Sequence, residues 1–358
     1  MKKLVIAALA IASMAACTKS NVQYEQPGEI SLQPVAQKAT KAAIATTAYP
    51  TTESFKIWAW WGAEAANAAS FESYKPYIEN GAFVYRKDNS WGGETPYYWP
   101  TEGSLFFAGY SPASAKGTFD YSPANKSFKV IDFIQSNEIV KQKDLLWFDI
   151  TDVSYDKKTM PEAGVAVSFK HALSWLTFKF NLKDDKTGQN WKIKNVKLTG
   201  IEDKATFTAV KGAESATWND WSVSETGKDV VNLFEGEYTV TYDADGTYVL
   251  DGTDVTSQDG KTKDNAVLVI PQSCAPSNGT NPADAELVIT YDLKSPTGQI
   301  LTDQNVSLPL NVTNINNKWE PGKHYTYNIT FGASEILIAP SVTVWTEVTP
   351  EVNIPVEK

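Results

Sequence analysis

AVSFKHALSWLTFKFNL, residues 166–182, alternates apolar and polar side chains over a long run, and a period of two marks strand. Val167, Phe169, Leu173, Leu176, Phe178 and Phe180 are its apolar candidates, and a bend is expected near Ala172–Ser174. The same style extends in both directions. Upstream lie EISLQPV (29–35), SFKIWAWW (54–61), GAFVYR (81–86), SLFFAGY (104–110) and DLLWFDITDV (144–153). Downstream, WKIKNVKLTGI (191–201) alternates with one slip, as at a bulge or an edge. EYTVTYDADGTYVL (237–250) reads as a hairpin about Asp243–Gly246, and Ser295-Pro296-Thr297-Gly298 reads as the turn between AELVITYDL (285–293) and QILTDQNVSLPL (299–310). AVLVIPQ (266–272) is a continuous apolar run ended by Pro271, hence a buried strand. HYTYNITF (324–331) and SVTVW (341–345) follow. Only AEAANAASFESYKPYI (63–78) suggests a helix, through its alanines, with Pro76 ending it.

These strands predict an all-β chain of two antiparallel β-sandwiches in tandem, with sandwich preferred over barrel. The border falls near residues 183–190, charged and turn-forming, so that residues 42–185 form the first domain and 186–358 the second. A length of 358 residues agrees, since single cores stop growing at about 250–300 residues. No period of 20–50 residues repeats, which disfavours solenoids and propellers.

The chain begins MKKLVIAALAIASMAAC: two lysines, a short apolar core, small residues, then Cys17. The apolar run falls short of the roughly 20 residues of a spanning helix, so residues 1–16 read as a secretory signal. Small residues before a cysteine fit a lipoprotein signal peptidase, which would leave an acylated Cys17 at the new N-terminus; ordinary secretion is the plainer alternative. Residues 17–41 then comprise a polar tether and a first strand. The formal charge is −10, or −12 once Lys2 and Lys3 are removed, which argues against nucleic acid as a partner. Cys274 is the only cysteine after Cys17, so no internal disulfide forms.

Nothing in the sequence points to catalysis. Phosphate-binding glycine loops, G-x-S-x-G and H-E-x-x-H are absent. His171 reads as a hydrogen-bonded structural histidine within a strand, and His324, after a Pro-Gly turn, reads as exposed. Two histidines make a His-rich metal site impossible, and the acidic stretches 243–247 and 251–265 read as turns rather than calcium loops. No cofactor or metal is expected. Twelve tryptophans invite a sugar-binding reading, with Trp58, Trp60, Trp61, Trp91 and Trp99 close in sequence. Trp58 and Trp60 share strand parity and read rather as core, with Trp61 facing the other way, since large aromatics in sandwiches usually pack against the opposite sheet.

Several phrases occur in a telling order. Lys38-Ala39-Thr40-Lys41-Ala42 follows the first strand, then Tyr98-Trp99-Pro100, Leu105–Pro112, Asp144-Leu145-Leu146 and Val167–Ser174. Leu268–Gln272, Trp319–Tyr327 and Val344-Trp345 come later. In this order they resemble the fimbrillin (FimA/Mfa-like) pilins of Bacteroides-type bacteria. The resemblance implies two transthyretin-like sandwich domains, export as an outer-membrane lipoprotein, and assembly into surface pili. It further implies that a protease removes the first strand and that a strand from another subunit fills the vacated groove. The partners implied are other pilin subunits, the lipid anchor in the outer membrane, and a host or bacterial surface glycan or protein. A surface lipoprotein that binds glycans without polymerising is the competing reading.

Two segments carry the assembly expectation. Ile30, Leu32 and, after Pro34, Val35 form the apolar face of the removable strand, and AQKATKAAIATTA has the composition of a cleavable loop. The family often shows Thr-Arg-Ala where this chain has Thr40-Lys41-Ala42, so cleavage is expected after Lys38 or Lys41 by a lysine-directed or trypsin-like protease. In the tail, Val352, Ile354 and Val356 alternate strictly, so residues 346–358 either donate a strand to a neighbour or fold onto their own domain. Pro350 and Pro355 weigh against donation, because each removes a ladder donor.

Overall fold

A computed structural model describes residues 28–36, 49–63, 75–86, 90–122, 127–153, 164–183, 188–210, 216–227, 229–242, 248–250, 267–274, 285–311, 317–332 and 336–344. Strands are numbered in chain order. Seven of them close into a ring: β1 (Ser31–Ala36), β4 (Trp91–Gly93), β3 (Lys75–Tyr85), β2 (Phe55–Gly62), β5 (Ser104–Ser111), β8 (Leu146–Val153) and β9 (Val165–His171), in that spatial order. Against this ring lies a four-stranded sheet ordered β13 (Thr217–Ser222), β12 (Lys204–Val210), β7 (Ser127–Ile134), β6 (Thr118–Ser122). Two further sheets face each other as a sandwich. One is β15 (Tyr248–Leu250), β10 (Ser174–Leu182), β19 (Lys323–Phe331) and β20 (Ile336–Val344), with β16 (Val267–Val269) also on β10. The other is β14 (Val231–Thr239), β11 (Asn190–Thr199), β17 (Glu286–Lys294) and β18 (Ile300–Pro309).

The all-β expectation holds, and the second half is the sandwich it called for. The first half differs, because β1 closes the ring that a sandwich would leave open. Every residue of β5 is buried, since its two faces meet different partners. Phe107 faces the interior of the ring, against Trp99. On the outer face Trp58 stacks on Phe119 with centroids 3.5 Å apart, and Trp60 packs on Tyr121 at 3.9 Å. Trp147 of β8 likewise meets Phe128 and Phe207 of the four-stranded sheet.

The bend expected near Ala172–Ser174 is real and separates β9 from β10. It is also where the core changes: Leu173 belongs to the first cluster and Leu176 to the second. That is earlier than the expected border at 183–190, and Ala205–Trp218 returns to the first core. Leu182 before that stretch and Trp191 after it belong to the same core. β16 joins the two cores. Val267 and Val269 enter one, Leu268 and Ile270 the other, so a strand buried on both faces shows no alternation in sequence.

Two expectations are corrected. Residues 237–250 form no hairpin, because β14 pairs with β11 while β15 pairs with β10 in the opposite sheet. The helix expected over 63–78 ends in strand: Lys75–Ile78 belong to β3, with Pro76 opposite Trp60, and 64–74 lie outside the described residues. The hairpin about Ser295–Gly298 forms as expected, closed by Ser295 N–H to Gln299 O at 2.8 Å and with Gly298 at a φ of 88°.

Candidate functional site

β1 has its backbone held on both sides. Ser31 and Leu32 pair antiparallel with Gly92 and Trp91, and Leu32–Ala36 pair in parallel with Val165–Phe169. Just before β1, Trp99 N–H donates to Gly28 O at 3.0 Å and Ile30 N–H donates to Tyr97 O at 2.7 Å. Ser31 Oγ donates to Trp91 O at 3.1 Å. Ile30 and Leu32 have no solvent exposure. Burying two such side chains contributes roughly 3–6 kcal/mol together. Pro34 is buried as well, and the side chain of Val35, expected on the same face, lies outside those described.

The chain leaves β1 at Ala36 and re-enters the described structure at Tyr49. Tyr49 is itself core. Its ring stacks on Phe169 at 5.3 Å and meets Trp91 edge-on at 4.9 Å, and its hydroxyl bonds to Ser111. The segment between β1 and Tyr49 thus joins two anchored points. A cut within it leaves Tyr49 in place while freeing β1 from the chain. Lys38 and Lys41 belong to that segment. They lie outside the described residues, as do Cys17, Val352, Ile354 and Val356.

Sequence reasoning assigned no role to Arg86, placing it in a core strand. It lies just past β3, with Nη2 2.6 Å from Glu29 Oε1 and 2.5 Å from Gly93 O. Glu29 Oε1 is shielded from solvent without an aligned hydrogen-bond donor, so the guanidinium offsets its burial. The guanidinium lies flat over Gly92, where a Cβ would come within 2.4 Å of Arg86 Cζ. The available signal was that Arg86 is the sole arginine in a chain whose other basic residues are lysine.

The other residues singled out by sequence are committed to structure. His171 Nδ1 bonds Asp144 Oδ2 at 2.8 Å inside the core, the structural role expected of it. His324 is not freely exposed: it stacks on Trp175 at 3.5 Å and its Nε2 meets Thr177 Oγ1 at 2.9 Å. Burial, with a smaller effect of Lys179, lowers its pKa to about 4. The folded state therefore favours neutral His324, and that contribution is full above the ordinary value near 6.5 and is lost as pH falls toward 4. Thermal melts of His324→Gln should show a weaker loss of stability between pH 6.5 and 4 than the parent chain. Parallel pH profiles would contradict this assignment. Cys274 is buried, and burial raises its thiol pKa far above the usual range, leaving it unreactive. Among the described residues no group of three His, Cys, Asp or Glu could hold a metal ion. Trp60, Trp91 and Trp99 are buried, Trp58 is stacked on Phe119, and Trp61 donates its Nε1–H to Glu102 O. Four of the five are thus buried or stacked in the core, and Trp61 is partly buried with its ring nitrogen engaged.

A family model described as fimbrillin-like matches residues 40–345. The chain belongs to the fimbrillin-like family. Among solved structures, this fimbrillin-like protein is similar to a fimbrial protein from Bacteroides vulgatus, with 18% identity and a TM-score of 0.52, over 89% of this chain and 99% of that one. A cell adhesion protein from Bacteroides uniformis, described there as putative, matches at 14% identity and a TM-score of 0.47, over 89% and 99%. The tip fimbrial protein Mfa3 from Porphyromonas gingivalis, with a C-terminal truncation, matches at 10% identity and 0.38, over 89% and 100%. Comparison with curated proteins gives no match.

Proposed function

We propose that this fimbrillin-like protein is a subunit, stalk or tip, of a cell-surface fimbria that polymerises by strand exchange. The observation that carries the reading is β1. Among the described strands it alone bridges β4 and β9, it fills the core with Ile30 and Leu32, and its link onward to Tyr49 contains Lys38 and Lys41. Cleavage after either lysine converts β1 from a covalent part of the ring into a displaceable peptide. The edges of β4 and β9 then offer unpaired backbone and an apolar slot, the setting for addition of a strand from a neighbour. Residues 346–358 are the proposed donor. Glycan binding without polymerisation is less well supported, since four of the five tryptophans that suggested it are buried or stacked.

Replacing both Lys38 and Lys41 with glutamine should leave unprocessed, monomeric protein and abolish the denaturant-resistant ladders of assembled fimbriae. Ladders of normal length from the double variant would overturn coupled cleavage.

Export is proposed to follow the lipoprotein route to the outer membrane through Cys17. More than one acyl chain gives stable anchoring, at about 0.8 kcal/mol per buried CH₂. Cys17→Ser should release the protein from membranes or block its processing. Unchanged partitioning into the detergent phase would reject the anchor.

A further inference from the structure

Glu29-Ile30-Ser31-Leu32 fills the end of the groove beside Arg86, and the tail repeats that chemistry in the same order as Glu351-Val352-Asn353-Ile354. We propose that the tail of a neighbouring subunit enters the groove in this one register, with Glu351 taking the place of Glu29 on Arg86. The inference rests on the strand-exchange reading and adds what selects the donor.

Each position supports the register. Position 28 gives its carbonyl to Trp99 N–H, and Pro350 retains a carbonyl. Position 29 supplies the carboxylate for Arg86. The guanidinium is fixed by Gly93 O and by the flat approach that Gly92 permits, so it stays in place when β1 leaves. Glu29 leaves with β1, and Glu351 supplies a carboxylate to Arg86 in its place. Position 30 donates its N–H to Tyr97 O and buries an aliphatic side chain, and Val352 can do both. Position 31 donates a side-chain hydrogen bond to Trp91 O, which the Asn353 amide can also do. Position 32 buries a large aliphatic group, as Ile354 would. Position 34 faces inward and receives Val356, while position 33 faces out and receives Pro355. Ile30 N–H points to Tyr97 O, so by alternation Pro34 lacks its donor on that same side, beyond the end of β4, whereas Pro355 at position 33 gives up one ladder hydrogen bond to β9; the register carries that cost and keeps its other contacts.

Other registers fail at a named contact. Placing Glu347 at position 29 puts Pro350 in the Leu32 pocket. Placing Val352 at position 32 puts Pro350 at position 30, which must donate to Tyr97 O. Placing Ile354 at position 30 brings Asn353, not a carboxylate, to Arg86.

The test uses full-length chains exported by a Bacteroides-type host, with ladders read from surface extracts. Glu351→Arg should reduce ladders at least roughly tenfold, and Glu347→Arg should leave them unchanged. Arg86→Glu combined with Glu29→Arg keeps an ion pair in the precursor with its sense reversed. It should not polymerise with the parent tail and should recover when Glu351→Arg is added, a rescue that a merely structural arginine would not give. Normal ladders from Glu351→Arg, or a block by Glu347→Arg in its place, would overturn the register while leaving strand exchange standing. Ladders that survive removal of residues 349–358 would instead sink the strand-exchange reading itself.

Discussion

Shortening Leu32 to alanine is expected to cost the unprocessed protein about 2–5 kcal/mol, the range for a buried leucine whose site cannot fully collapse. Leu32 has no solvent exposure, and its strand is held by β4 and β9, so the cavity has little freedom to close. For a domain of this size the melting temperature should fall by roughly 4–20 °C. Leu301→Ala is the matched control. Leu301 is 42% exposed on β18, the last strand of its sheet, and its replacement should fall within about 0.5 kcal/mol of the parent. Thermal melts of the two precursors would check this, and equal shifts would contradict the place of β1 in the core. The same Leu32 change should leave assembled fimbriae unaffected, because the proposed cleavage removes β1 from the mature subunit.

Removing residues 349–358 is expected to abolish ladders while leaving the precursor as stable as before. The precursor groove is occupied by β1, so on the proposed reading the tail is held in reserve for a neighbouring subunit. After cleavage the groove needs a donor with inward aliphatic groups in alternation, and the truncated chain has lost Val352, Ile354 and Val356. Denaturant melts and ladder gels on the same variant separate the alternatives. A tail packed on its own domain would show the reverse, a destabilised precursor with normal ladders.

Much of this fold was legible where one face of a strand is buried and the other wet. β9, β10, β17 and β19 alternate openly, and the break at Ala172–Leu173 showed as a slip in parity. The four-stranded sheet of β6, β7, β12 and β13 was not legible. In β7 the inward residues are Phe128, Val130 and Phe133, because a bulge with Asp132 at a φ of 56° interrupts the period of two. β13 carries the same device at Asp220, and β3 at Asn80. Asp and Asn adopt this left-handed conformation more readily than most residues, so such bulges resemble turns in sequence. The failed hairpin at 237–250 has a related cause: turn residues show where the chain reverses but not which sheet it joins next. At the candidate site, Ile30 and Leu32 were readable from alternation. Arg86 was not, because its role depends on Gly92 being flat beneath it and on Glu29 arriving from far along the chain.

N-terminal sequencing of surface-assembled protein tests the central claim most directly. Coupled cleavage and strand exchange predict subunits that begin at Ala39 or Ala42, with β1 gone and Tyr49 still anchoring the new terminus. Polymers whose subunits begin at Cys17 would contradict the account, since β1 would then still occupy the groove that a neighbour must enter.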